Sequence, residues 1–319
     1  MYRILVGAIT TILMASSQAQ GMKVPAAVMS DPPQDKAHPA DSVPFALPTH
    51  GLKINAVLFT AAGEGPHPTV VLLQGVPGNE TLQDLAHAIQ RAGWNVLTLK
   101  YRGSWGSPGH YTFTHCIEDS EAALAWLREP ATALHYGIDT NRIVVIGHSM
   151  GGFLAGWIAA HDDHVAAAVQ ISAGRSFGNL PSNISRAEVV ERMEANLDNK
   201  QGMHTVGDTT AEELADEVIR NNAAWDLVQF APQVAKHPLL VVTSDDGGAP
   251  ANMRLVEAVA LQPGADVAVR HFATGHGYTD QRVSLASTIV QWLETLPTAN
   301  NLEVKDASKL GNGLATVPK

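Results

Sequence analysis

Arg142-Ile143-Val144-Val145-Ile146-Gly147-His148-Ser149-Met150-Gly151-Gly152-Phe153-Leu154 decides the fold. Arg142–Ile146 is a continuous apolar run, the pattern of a strand buried on both faces. It runs straight into a G-x-S-x-G motif, Gly147–Gly151, and then into a small-residue segment, Gly151–Ala160, that reads as a helix. A tight strand-to-helix turn leaves little room for Cβ atoms, which the flanking glycines lack. The Ser149 hydroxyl then projects out of the turn beside the positive end of a helix.

Working outward, strand-like and helix-like segments alternate. Leu52–Phe59 has apolar residues at every second position and reads as an edge antiparallel strand. Thr69–Leu73, Asn95–Leu99, Val165–Ile171, Leu239–Val242 and Val267–Phe272 read as further strands. Leu82, Leu85, Ala86 and Ile89 fall on one helical face, with Gly93 placed to end that helix. Ile117–Leu127 reads as a helix opening on Glu118 and Asp119, and Ser284–Leu296 as the closing helix. Such alternation implies an α/β fold: a mostly parallel central sheet with helices on both faces, in a domain spanning 49–297. Residues 175–236 carry two helical patterns (Ala187–Asn196 and Thr210–Val228) and no strand. They read as a helical cap insertion over the strand ends.

A serine nucleophile needs a base and an acid, found in such a sheet on loops after later strands, in the order Ser, acid, His. His276 lies between glycines after Phe272 and is the expected base; His271 lies within the strand. Asp245 and Asp246 follow the Leu239–Val242 strand. Asp246 is the preferred acid and Asp245 the alternative, the other carboxylate serving an Asx turn. The oxyanion donors expected are the backbone N–H groups of Met150 and Val76, the latter in Gln74-Gly75-Val76-Pro77-Gly78.

Other polar clusters read as ordinary surface. His161-Asp162-Asp163-His164 falls where a helix ends and a strand begins, which suits a solvated turn better than a metal site. His110 and His115 lack a third ligand at any recognisable spacing. Glu188, Glu191 and Glu194 suit a wet helix face, or else a carboxylate that binds a substrate amine. Leu154 and Trp157 read as core; Trp225 and Phe230 suit either an acyl pocket or cap packing.

The chain has 319 residues, with 21 Lys+Arg against 31 Asp+Glu, a formal charge of −10. That balance excludes a general basic surface for nucleic acid. Cys116 stands alone, which excludes an internal disulfide and a multi-cysteine zinc site. Ile4–Met14 is an apolar core after Arg3, and Ser17-Gln18-Ala19 supplies small residues for cleavage after Ala19. Residues 1–19 therefore read as a signal peptide, giving a periplasmic or secreted protein with no membrane span after cleavage. Residues 20–48, broken by Pro25, Pro32, Pro33, Pro39, Pro44 and Pro48, read as an arm or linker, and 298–319 as a flexible tail.

The Gln74–Gly78 loop, Tyr101-Arg102-Gly103 with Gly106 and Ser107, the Gly147–Gly151 elbow and the acid and histidine loops together resemble the α/β-hydrolase superfamily over about 52–296. The likeness is to bacterial serine aminopeptidases, dienelactone-hydrolase-like proteins and small esterases. It implies the α/β-hydrolase fold and a serine hydrolase that cleaves carboxylic esters, or small amides, through an acyl-enzyme, without cofactor or metal. A peptidase, and a hydrolase-fold binding protein without turnover, are the alternatives. The chain departs from the family pattern twice. Gln74 stands where many relatives have His, and Arg102–Gly109 carries Trp105, for which the sequence suggests no role.

Overall fold

Eight strands build one sheet in the computed structural model, which describes residues 23–78, 82–174, 176–197 and 205–297. The segments read as a signal peptide (1–19) and a tail (298–319) lie outside the described residues. The strands are β1 (Asp41–Thr49), β2 (Leu52–Thr60), β3 (His67–Leu73), β4 (Asn95–Leu99), β5 (Ile138–His148), β6 (Ala167–Ile171), β7 (Leu239–Ser244) and β8 (Val267–Phe272). The helices are α1 (Ala26–Met29), α2 (Gln83–Arg91), α3 (Phe113–Arg128), α4 (Pro130–Tyr136), α5 (Met150–His161), α6 (Arg186–Asn196), α7 (Ala211–Asn221), α8 (Ala231–Val234), α9 (Ala249–Ala260) and α10 (Arg282–Thr295).

The sheet order is β1-β2-β4-β3-β5-β6-β7-β8. β1, β2 and β4 pair antiparallel, and every pair from β4 onward is parallel. The continuous apolar runs follow from burial on both faces. Val71, Leu73, Leu97, Val145 and Val241 face a core with α3, α5 and α9. Val70, Leu72, Val96, Val144 and Val242 face the opposite core with α2 and α10. Period-two alternation thus survives in which helix layer each residue meets, although polarity does not reveal it.

The structure differs from the sequence reading at several boundaries. Leu52–Phe59 is not the edge. β1, drawn from the end of the proline-rich segment, pairs outside β2. Its prolines face a partner on one side only, where a missing N–H is tolerated. Leu47 is fully buried, and Phe45 stacks on Trp126 with ring centroids 4.4 Å apart. α3 begins at Phe113, capped by the Thr112 side chain, so Glu118 and Asp119 lie more than a turn inside it. The Thr210–Val228 helix stops at Asn221 and is followed by a 3₁₀ turn, Leu227–Phe230, and α8. α4 and α9 have no counterpart in the sequence reading.

α6 and α7, inserted between β6 and β7, pack on each other. Buried Glu217 of α7 accepts the Phe113 and Thr114 amides, each at 2.8 Å, and the Thr114 hydroxyl at 2.6 Å. A carboxylate thus satisfies orphan donors at the α3 N-terminus and ties the insertion to the sheet layer.

The Tyr101-Arg102-Gly103 stretch is fixed from the same helix. Fully buried Asp119 accepts Arg102 N and Nε, both at 2.7 Å, and the Thr49 hydroxyl at 2.8 Å. Asp119→Ala leaves a buried guanidinium short of its main partner and is expected to cost about 3–5 kcal/mol. A denaturant titration at neutral pH measures this as a lower unfolding midpoint.

Candidate active site

Four loops at the C-terminal ends of β3, β5, β7 and β8 meet around one cavity of about 920 Å³. Such rims are where parallel α/β sheets place their ligands. Ser149 sits in the turn from β5 to α5 with φ 58° and ψ −121°, a conformation costly for any residue with a Cβ. The turn closes because its neighbours have no side chain. A Cβ on Gly147 would lie 1.9 Å from Gly151 O, and one on Gly151 would lie 2.1 Å from Leu73 O. The Ser149 amide donates to Ile171 O at 2.9 Å, anchoring the turn to β6.

The structure brings Asp246, not Asp245, to His276. His276 Nδ1–H donates to Asp246 Oδ2 at 2.6 Å, which leaves Nε2 as the free ring nitrogen. Asp246 is largely buried, and its Oδ1 accepts the Gly248 amide at 2.7 Å. Asp246 therefore makes the Asx turn that the sequence reading gave to the other carboxylate. Asp245 points away, to His271 Nε2 at 3.1 Å. Ser149, His276, Asp246, Val76 and Met150 all line the cavity; Asp245 and His271 do not. As first residue of α5, Met150 presents an amide that the helix cannot itself satisfy.

Several supporting residues carry no sequence motif. His148 Nε2–H donates to the His276 carbonyl at 2.8 Å and so ties the serine turn to the histidine loop. Burial, with the nearby His276 adding to it, pushes the His148 imidazole down to about 4. Fully buried Tyr278 hydrogen-bonds Ser172 at 2.8 Å, and Ser172 reaches Ser244 at 2.9 Å. That chain of hydroxyls fixes the histidine loop to the ends of β6 and β7. On the far side, the Lys100 ammonium donates to Gln74 Oε1 at 2.6 Å, and Trp105 Nε1 donates to Pro77 O at 2.8 Å. Burial lowers Lys100 to about 8, so it is charged at neutral pH.

The cavity wall is apolar where Phe113, Phe177, Met150 and Met193 line it, and carries Arg192 and Arg254. Glu188, Glu191 and Glu194 are not among its lining residues. Glu188 instead caps α6 through Ser185. Trp225 packs into an aromatic core with Phe153 and Phe177, and Phe230 against Trp157 and His161; neither lines the cavity. Asp162 pairs with Arg128 at 2.5 Å and Asp163 with Lys236 at 2.8 Å. Among the described residues no cluster of three His, Cys, Asp or Glu could hold a metal ion.

Comparisons with known proteins agree with this architecture. The BD-FAE family model matches residues 59–234. An α/β-hydrolase domain-containing protein, WAV2 of Arabidopsis thaliana, is 35% identical over 104 residues, 32% of each chain, so the match spans about a third of that relative. An esterase of Pyrobaculum calidifontis superposes with a TM-score of 0.61 at 20% identity, over 81% of this chain and 87% of that one. An acylaminoacyl peptidase of Pyrococcus horikoshii superposes with a TM-score of 0.55 at 17% identity, over 80% of this chain and 41% of that one. The fold is that of the α/β hydrolases.

The buried imidazole sets a pH dependence. An unfolded His148 titrates near 6.5, whereas the folded one stays neutral down to about 4. Between those values the unfolded state binds more protons, so stability falls as pH drops through the window, by about 3 kcal/mol in all. His148→Gln, which keeps an N–H donor, is expected to show a shallower fall in thermal midpoint between pH 6.5 and 4.

Proposed function

The chain belongs to the BD-FAE family, and on that premise we propose that it is a serine hydrolase acting on carboxylic esters through Ser149, His276 and Asp246. The observation that carries the proposal is the 2.6 Å contact of His276 Nδ1 with Asp246, on a cavity whose wall also presents Ser149 in a strained turn. His276 Nε2 takes the hydroxyl proton as Ser149 Oγ attacks the ester carbonyl. Asp246 stabilises the imidazolium so formed. The oxyanion of the tetrahedral intermediate accepts from the Met150 and Val76 amides. Collapse expels the alcohol, which takes the proton from His276. Water, deprotonated by the same imidazole, then attacks the acyl-enzyme and releases the carboxylic acid and free Ser149.

The lining favours an ester over the substrate of an aminopeptidase. A free amine would be recognised by a carboxylate, and the α6 residues lining the cavity include Arg192 and Met193 but none of its glutamates. The apolar wall suits an aliphatic or aromatic acyl group. The reading includes export, which rests on the sequence pattern of residues 1–19; the N-terminal peptide of mature protein is expected to begin at Gln20.

In p-nitrophenyl ester hydrolysis, Ser149→Ala and His276→Ala are each expected to lower kcat by about 10⁴-fold or more with the fold intact by circular dichroism. Labelling of wild type by a fluorophosphonate, absent in Ser149→Ala, separates this reading from a silent binding protein. Near-normal rates in either variant would sink it. Asp246→Asn is expected to lower kcat by about 10³–10⁴-fold and Asp245→Asn by less than about threefold.

A further inference from the structure

The loop that follows β3 has to hold an amide in place without a sheet ladder to fix it. Its backbone passes close to the nucleophile: a Cβ on Gly75 would lie 2.9 Å from Ser149 Cβ and 3.4 Å from Ser149 Oγ. A small displacement of this loop therefore moves the Val76 N–H relative to the reacting carbon. The loop's first and fourth residues are gripped by side chains from one neighbouring segment. Lys100 Nζ donates to Gln74 Oε1 at 2.6 Å, and Trp105 Nε1 donates to Pro77 O at 2.8 Å. The two grips touch each other, with Lys100 Nζ 5.1 Å from the centroid of the Trp105 ring. Gly78, at φ +89°, fits between them, since a Cβ there would lie 2.7 Å from Gln74 Nε2 and 2.8 Å from Trp105 Nε1.

We propose that Lys100 and Trp105 are positioning residues for the oxyanion site, Lys100 acting through Gln74 and Trp105 through Pro77. The inference rests on the serine-hydrolase reading above. It gives a role to Gln74, whose side chain provides the acceptor for Lys100, and to Trp105. The tryptophan is itself braced: it has φ 46°, and its amide donates to Thr205 O at 2.9 Å. Ser104 also bridges Val206, and Gly207 N donates to Gly103 O at 2.8 Å. Thr205–Gly207 precedes α7 and follows α6, so the loop beside the nucleophile and the helical insertion share one support.

An amide that meets the oxyanion, and not the ground-state carbonyl, contributes to kcat more than to KM. Trp105→Phe keeps an aromatic ring and removes the indole N–H, Lys100→Met keeps the stem and removes the cation, and Lys100→Arg keeps charge and donor. On p-nitrophenyl butyrate, Trp105→Phe and Lys100→Met are expected to lower kcat about tenfold or more with KM within about twofold. Affinity for phenylboronic acid, whose serine adduct is tetrahedral, falls by a similar factor, and Lys100→Arg retains more kcat than Lys100→Met. Should Lys100→Met fail to fold, Trp105→Phe carries the test. A kcat within about twofold of wild type in Trp105→Phe, or a lower kcat with undiminished boronate affinity, would overturn the proposal. Wild-type protein that neither hydrolyses the ester nor takes a fluorophosphonate label would instead remove the serine-hydrolase reading itself, a separate and distinguishable failure.

Discussion

The backbone at Ser149 is the constraint on which the rest of the molecule depends. β5 must pass into α5 within one residue, and that residue adopts φ 58° and ψ −121°. Nothing local favours such a conformation. It persists because the chain is packed against itself at Gly147 and Gly151 to distances that no Cβ could occupy, and because the Ser149 amide and carbonyl are both engaged. β3 and β6 flank β5, so the two strands beside the turn supply its hydrogen-bond and steric boundaries. The sheet core on both faces therefore acts as the rigid frame that holds one hydroxyl at the cavity wall.

From that frame the remaining groups are placed in two ways. The expected oxyanion amide of Met150 is set by helix geometry alone, because the first amides of any helix lack internal partners. The histidine and the loop beside Ser149 depend on side chains. His276 is located by Asp246 at its ring, by His148 at its carbonyl and by Tyr278 two residues later. The Gln74–Gly78 loop is located by Lys100 and Trp105. A backbone-defined position survives most substitutions nearby. A position defined by side chains depends on partners distant in sequence, such as Ser172 for Tyr278.

That division explains what could be read from the amino-acid sequence. Strands β3, β4 and β7 are legible within about two residues because burial on both faces demands largely apolar runs, while β8, half-buried at the sheet edge, is legible from the apolar residues at Val267, Ala268, Val269 and Phe272. The elbow is legible because sterics demand glycine at two fixed spacings. β1 is hidden, since prolines at 44 and 48 signal irregular chain while an edge strand tolerates them. The start of α3 is hidden because Glu118 and Asp119 resemble a helix N-terminus, whereas they serve Arg102 from inside the helix. The aspartate pair is legible, with Asp246 preferred and Asp245 the alternative, while the turn that positions the carboxylate is not. Which carboxylate meets His276 depends on a turn whose Gly248 amide selects Asp246, and nothing in the order of the two residues encodes that.

His148 shows why the supporting residues matter for the chemistry as well as the fold. Buried and neutral, it has one N–H to give on its Nε2 side, and it gives it to the backbone of the residue expected to act as base. In the proposed mechanism, a charged imidazole there would repel the His276 imidazolium formed as Ser149 attacks the ester. Its low proton affinity thus keeps the strand-end turn and the histidine loop joined by a neutral hydrogen bond while the neighbouring ring changes charge. The rings of His148 and His276 lie 4.6 Å apart, close enough for the charge of one to bear on the other in the proposed reaction. In the proposed mechanism, burial of one histidine and exposure of the other divide the work between them: the first holds the geometry, and the second carries the proton.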